Sequence, residues 1–168
     1  ERYGVPQERR RIFFVGNRLG IPVRLPAPTH GTKDRPFVTV GDALNGLPKL
    51  ANGEAWDKPT VKNHEAPKLS AVNLERMKFI PQGGSWRDIP TRLLPAGMKL
   101  AKRSDHTKRY GRLSKKGLAS TILTKCDPHW GAFIHPDQDR TITVREAARL
   151  QSFPDKFVFR GPRTEQSI

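Results

Sequence analysis

Arg140-Thr141-Ile142-Thr143-Val144-Arg145-Glu146-Ala147-Ala148-Arg149-Leu150-Gln151-Ser152-Phe153-Pro154-Asp155 is the most strongly patterned stretch of this sequence. Thr143 followed three residues later by Glu146 is a capping box: hydroxyl and carboxylate each satisfy an amide that a helix start leaves without a partner. Val144, Ala147, Ala148 and Gln151 fall at i, i+3, i+4 and i+7, a face of small residues that lets another element approach closely. Pro154 forbids continuation past Phe153. The pattern predicts a helix of about eight to ten residues, packed on one side and holding the guanidiniums of Arg145 and Arg149 on the other. Taken alone, it is either a buttress between elements or a capped surface helix.

The run Arg140-x-x-Thr143-x-Arg145-Glu146-Ala147-Ala148-Arg149-Leu150-Gln151-Ser152-Phe153-Pro154 resembles, without a gap, the ninth sequence motif of the DNA cytosine-5 methyltransferases. The resemblance implies that Arg140, Thr143, Arg145 and Glu146 do no chemistry and brace a target recognition domain against a catalytic domain.

Near the other end, Tyr3-Gly4-Val5-Pro6-Gln7-Glu8-Arg9-Arg10-Arg11 leads into Ile12-Phe13-Phe14-Val15-Gly16, an apolar run bounded by glycine that predicts a buried strand. In an extended segment, alternation puts Gln7, Arg9 and Arg11 on one side and Glu8 and Arg10 on the other. Such a row is either a set of planar donors for phosphate or a base edge or a solvated basic strand end. These residues also resemble the eighth motif of the same family, a Gln-x-Arg-x-Arg core preceded by Tyr-Gly-Val-Pro. The resemblance implies that Arg11 hydrogen-bonds a flipped-out target cytosine, that Arg9 stands beside the nucleophile's site, and that Gln7 orients the pair. A base taken out of the stack must be held by donors to its edge.

The 168 residues carry a formal net charge of +15, with 35% apolar residues, 15 Pro and 14 Gly. That size suits one domain or a small domain with a piece of another. The basic excess calls for a polyanionic partner, of which nucleic acid is the commonest. No apolar run approaches the roughly eighteen residues of a membrane span and no leader pattern is present, so no membrane partner is expected and the place of action is expected to be cytoplasmic; the resemblance implies that it is bacterial and DNA-associated. Cys126 is the single cysteine, which rules out an internal disulfide framework. With a start at Glu1, inside a motif, the chain is expected to be a fragment of something longer.

Between the two motifs, Pro22, Pro26, Pro28 and Pro36 suit an extended connector. Phe37 to Leu44 reads as a short strand turning into a brief helix, and Trp56 as an anchor for a polar loop. Ser70 begins a helix through Phe79, with Leu69, Val72, Leu74, Met77 and Phe79 as its apolar stripe. In Gln82-Gly83-Gly84-Ser85-Trp86-Arg87-Asp88, Trp86 and Arg87 either reach into a groove or anchor a structural loop. Lys99 to Lys116 concentrates Lys102, Arg103, Lys108, Arg109 and Arg112, which either neutralise phosphates or face solvent; an arginine among them suits the guanine edge. Leu118 to Thr124 and Ala132 to Ile134 read as strands, and Phe157 to Phe159 as an edge strand or a strand returning to the core. Thr121-Ile122 weakly resembles a backbone-contacting pair of the family's recognition domains. Cys126, His129 and His135 lack a fourth ligand, so no metal is expected. Cys126 also lacks the Pro-Cys pair that carries the family's nucleophile.

The expected architecture is α+β: a small, loop-rich target recognition domain with short strands over 37–139. It is flanked by a catalytic-domain strand over 1–20, a connector over 21–36, and the bracing helix and tail over 140–168. The resemblance implies the recognition part of an enzyme that transfers a methyl group from S-adenosyl-L-methionine to C5 of cytosine, of the restriction-modification kind. The Pro-Cys, Glu-Asn-Val and Gly-containing cofactor loops do not occur in this sequence. The fragment alone is therefore expected to bind double-stranded DNA through Trp86, Arg87, Lys102, Arg103, Lys108, Arg109, Arg112 and Thr121, to bind no cofactor, and not to methylate. Its expected partner is the missing N-terminal catalytic domain or subunit, and exposed apolar surface there would favour self-association. The alternative is a stand-alone DNA-binding module.

Overall fold

The computed structural model describes residues 1–102, 104, 107–123 and 126–162. Regular structure among them is sparse: α1 (Val40–Leu44), α2 (Ala71–Met77), α3 (Ala96–Lys99), α4 (Val144–Leu150), and two 3-10 turns at Trp86–Asp88 and Thr91–Leu93. No strand forms among the described residues; backbone pairing outside helices and turns reduces to isolated bridges. This corrects the expected α+β architecture with short strands. Leu118 to Leu123 pairs only at Ala119, which donates to the Pro6 carbonyl at 2.9 Å and accepts from Glu8 N at 2.8 Å. Pro6 has no amide with which to extend that ladder. Ala132 to Ile134 is likewise cut short between Pro128 and Pro136.

That short segment nevertheless organises the interior. Phe133 and Ile134 point to opposite sides, as neighbours in extended backbone must. Phe133 joins a core with Val40, Leu44, Leu113, Ala119, Ile142, Ala147 and Leu150, and Ile134 joins a second core with Met77, Ile80, Trp86, Ile89, Met98 and Tyr110. Leu113 N donates to Ile134 O at 2.9 Å on one flank, and Ile142 N to Phe133 O at 2.8 Å on the other. Gly111 permits the close approach: a Cβ there would lie 2.6 Å from the Ala132 Cβ.

The helices follow their caps. Thr39 and Asp42 form a capping box, so α1 starts at Val40, where a strand residue was expected. Thr143 and Glu146 form the predicted box for α4, which packs against α1. Helix α4 has 7 residues, shorter than expected. It ends in a Schellman arrangement: Phe153 N donates to Ala148 O and Ser152 N to Arg149 O, both at 2.9 Å, with Ser152 at φ 64°. Helix α2 begins after Ser70, whose side chain makes no cap bond. Only Met77 of its predicted stripe is fully buried, while Val72 and Phe79 are exposed. No described helix is long and apolar enough to cross a membrane.

Residues 8–29 form an exposed arm without regular structure. Its base is closed where Thr29 and His30 amides donate to Arg2 O at 2.9 and 3.0 Å and the Tyr3 hydroxyl donates to Pro26 O at 2.8 Å. The run Ile12-Phe13-Phe14-Val15, expected as a buried strand, is exposed and unpaired, with Phe14 95% exposed. A strand needs a neighbour for its amides and apolar faces, and no described segment reaches it.

Candidate nucleic-acid interface

Gln7 sits at the root of the arm, buried and bridged in parallel to Ala119. Its side-chain Nε2 is buried and meets no acceptor. Beyond it the chain emerges: Arg9, Arg10 and Arg11 are exposed, Arg10 pairs with Glu8 at 3.0 Å, and Arg11 Nη1 donates to Arg10 O at 2.7 Å. The three residues of the predicted row thus divide into one fixed amide and two guanidiniums in solvent. The Thr121 hydroxyl donates to Glu8 O at 3.4 Å, tying the root of the arm to the 118–123 segment.

Glu8, Arg10, Lys108, Ser120, Thr121 and Trp130 border one open cleft of about 280 Å³. A second, of about 450 Å³, lies between Ser104, Thr107, Lys108, Arg109 and Trp130. The clefts share Lys108 and Trp130, so together they make a basic surface with an aromatic ridge. Arg109 lies over the Trp130 ring, 5.5 Å from its centroid. Lys102 is exposed; Arg103 lies outside the described residues. No motif or spacing in the sequence assigns a role to Trp130, although its place between His129 and Gly131 in a Pro-containing turn marks an exposed position.

Two expected contacts are corrected. Arg112 is buried, and its five N–H groups meet five acceptors: Nε the Ile80 carbonyl at 2.7 Å, Nη1 the carbonyls of His135 and Gln138 at 2.9 and 3.2 Å, and Nη2 the Met77 carbonyl and Asp139 at 2.8 and 2.6 Å. A guanidinium has five such donors, so none remains for DNA. Trp86 is buried in the second core, the structural-loop alternative. Its turn is set by Gly83 at φ 78° and by a Ser85–Asp88 capping box. Arg87 beside it is half-buried, with its Nε shielded and unpartnered.

Helix α4 differs from its expected two-sided form, because its guanidiniums are tied down as fully as its apolar face. Arg145 is fully buried; its Nε donates to Lys62 O at 2.9 Å and its Nη atoms to the Pro154 and Phe157 carbonyls. Arg149 donates to Ala43 O and Asn45 O at 3.2 and 2.7 Å and forks onto Asp155 at 2.8 and 2.6 Å. Arg140 grips both oxygens of Glu146 at 2.8 and 2.7 Å, and Glu146 also accepts from Thr143 N at 2.8 Å. Burial alone would raise the Glu146 pKa, but the Arg140 fork outweighs it and holds the carboxyl below its ordinary range.

His135 lies 3.7 Å from Glu146 and accepts from Asp137 N at Nδ1, 3.0 Å away. Burial, reinforced by the Arg140 and Arg112 charges, pushes it from 6.5 down to about 4, although Glu146 pulls the other way. Burial also lowers His64. An unfolded histidine takes up a proton that the folded one refuses, so stability is complete above about pH 6.5 and falls as pH drops toward 4. The expected loss through His135 is about 3 kcal/mol once pH falls below about 4, of which about 2 kcal/mol is already lost at pH 5. Urea midpoints at pH 7.5, 6 and 5 measure it, and His135→Gln should flatten the slope; an unchanged slope in that variant would refute the assignment.

Burial lifts the Cys126 thiol to about 12, which leaves it protonated and unreactive at neutral pH. Among the described residues, no group of three His, Cys, Asp or Glu is placed to hold a metal ion.

The sequence profile of C-5 cytosine-specific DNA methylase matches residues 1–168. Type II methyltransferase M1.HphI of Haemophilus parahaemolyticus is 38% identical over 98% of this chain and 39% of its own length. Type II methylase M.HgiDII of Herpetosiphon aurantiacus is 34% identical over 94% of the chain and 43% of its own. DNA (cytosine-5)-methyltransferase 3 of Arabidopsis thaliana is 32% identical over 95% of the chain and 15% of its own. The chain therefore spans about two fifths of the bacterial relatives. A crystal structure described as a DNA modification methyltransferase encoded within an E. coli prophage superimposes with a TM-score of 0.53 at 21% identity, covering 80% of this chain and 42% of that one.

Proposed function

The chain belongs to the C-5 cytosine-specific DNA methylases, and from that premise we propose that it is the target-recognition part of such an enzyme, with the motif segments that flank it. The observation that carries this reading is the cleft of about 280 Å³ on which Glu8 and Arg10 of the eighth-motif segment meet Lys108, Thr121 and Trp130. A recognition surface must lie beside the groups that hold the extruded base, because both act on one stretch of duplex.

In this reading Gln7, pinned against Ala119, sets the root from which Arg11 extends to the edge of the flipped cytosine and Arg9 stands beside the nucleophile's site. Lys102, Lys108 and Arg109 neutralise phosphates, giving affinity that falls steeply with salt. Arg103 joins them by sequence alone. Helix α4 braces the assembly: Arg140, Thr143, Arg145 and Glu146 tie it to the chain around them, and Arg149 fastens it to α1. The boundaries at 20, 36 and 139 stand as part of the same proposal. So does the exposed run Ile12–Val15 as the surface that meets a catalytic domain or subunit, and through which the chain alone self-associates.

The full enzyme's chemistry needs S-adenosyl-L-methionine to supply the methyl group. The cleft beside Glu8 offers the cofactor's sulfonium one carboxylate, already paired with Arg10 at 3.0 Å, and sets the Lys108 ammonium beside it, so these residues do not fit the cofactor. A cofactor site, a thiolate for C6 and an acid for N3 belong to the catalytic partner. The native setting is a restriction-modification enzyme acting on DNA in a bacterial cytoplasm.

The experiment mixes this chain with an N-terminal half carrying the Pro-Cys and Glu-Asn-Val loops, labelled S-adenosylmethionine and duplex DNA, with each half alone as control. Methyl transfer only in the mixture supports the reading. DNA bound without transfer, beside a folded and cofactor-binding half, would replace it with a free-standing binding module.

A further inference from the structure

Trp130 is 63% exposed, yet the turn that carries it is held from several sides. Trp130 N donates to Asp127 O at 3.1 Å, and Asp127 Oδ1 accepts from His129 N at 2.8 Å. His129 Nε2 lies 2.8 Å from the Tyr110 hydroxyl, with the rings 4.8 Å apart. That hydroxyl donates to Asn73 Oδ1 at 3.1 Å and receives Arg76 Nη1 at 3.2 Å. Tyr110 N closes the ring by donating to Pro128 O at 2.6 Å. Tyr110 is fully buried at φ 49°, a left-handed conformation that costs a bulky residue free energy.

A packed network and a strained residue thus fix two neighbouring features on the surface, Lys108-Arg109 and Trp130. A large indole left in water forgoes the stabilisation that burial would supply. Arg109 covers the ring at 5.5 Å, a cation–π arrangement that needs only one ring face. The ring stands between the two clefts, and Lys108 borders both.

We propose that Trp130, backed by Arg109, is a positioning contact that stacks its remaining ring face on a nucleotide exposed where the duplex is opened. This rests on the DNA-recognition reading above. It separates two kinds of contact on one surface: Lys108 meets a phosphate and its contribution is screened by salt, whereas stacking on Trp130 is not.

The test uses the full-length methyltransferase containing this region and its target duplex, with dissociation constants measured by anisotropy at several salt concentrations. Trp130→Ala and Trp130→Leu should weaken binding about ten- to a hundred-fold, with the slope of log K against log salt unchanged. Trp130→Phe should stay within about threefold of wild type, because it keeps a π face. Lys108→Ala should lower the slope by about 1. DNA should also shield indole fluorescence from acrylamide in the wild type and not in Trp130→Leu. If Trp130→Ala unfolds, the Leu and Phe pair decides. Wild-type affinity in Trp130→Leu would overturn the stacking contact and leave DNA recognition standing; a wild-type enzyme that binds no duplex at low salt would overturn both.

Discussion

Glu146→Ala is expected to destabilise the protein by about 3–5 kcal/mol, a large part of the roughly 5–15 kcal/mol that holds a domain folded. The substitution removes both hydrogen bonds of the Arg140 fork and the cap on Thr143 N together. It leaves the Arg140 guanidinium fully buried and without its counter-charge. The carbonyls of Thr141 and Leu50 still accept from it, at 3.0 and 3.3 Å, so hydrogen bonding survives while charge compensation does not. Glu146→Gln keeps an oxygen for the cap and should lose less. Urea unfolding followed by circular dichroism measures both variants, and a loss under about 1 kcal/mol for Glu146→Ala would show that the pair is not the keystone of this helix.

Arg112→Ala should cost a comparable amount, about 3–5 kcal/mol, and should act on folding before it acts on DNA. Four buried or half-buried carbonyls and Asp139 lose their donors at once, and shielded acceptors without partners are expensive. Arg112→Lys is the informative control. A phosphate contact would tolerate it, whereas one ammonium with three donors cannot meet five acceptors spread around a planar fork. The lysine variant is therefore expected to lose about 2 kcal/mol of stability, read as a lower thermal midpoint. A stable Arg112→Lys protein with weakened DNA binding would return Arg112 to the recognition surface.

The contrast between Arg112 and Arg109 shows why a basic run is ambiguous in one dimension. Both lie in Lys99 to Lys116 with similar neighbours, and no spacing rule separates them. Burial separates them: Arg112 enters where the carbonyls of Met77, Ile80, His135 and Gln138 converge, while Arg109, next to strained Tyr110, lies over Trp130. The Trp86 and Trp130 pair teaches the same lesson in reverse. Trp86, two residues after a Gly-Gly pair, is core, and Trp130, itself next to Gly131, is exposed, because only Trp86 is brought beside Met77 and Ile80.

Local chemistry was legible. The capping box at Thr143 and Glu146, a brief helix ending near Gly46 and the family membership all follow from neighbours within a few residues, or from word-like motifs. Strands were not legible, because a ladder depends on a partner elsewhere in the chain: Leu118 to Leu123 meets only the proline-blunted root of the arm, and Ile12 to Val15 meets nothing among the described residues. The sequence by itself determined where α2 and α4 begin, which family the chain belongs to and that its charge suits a polyanion. Only the tertiary structure decided which guanidiniums are spent on carbonyls and which face solvent, since donors are assigned by the acceptors that distant segments bring within about 3 Å.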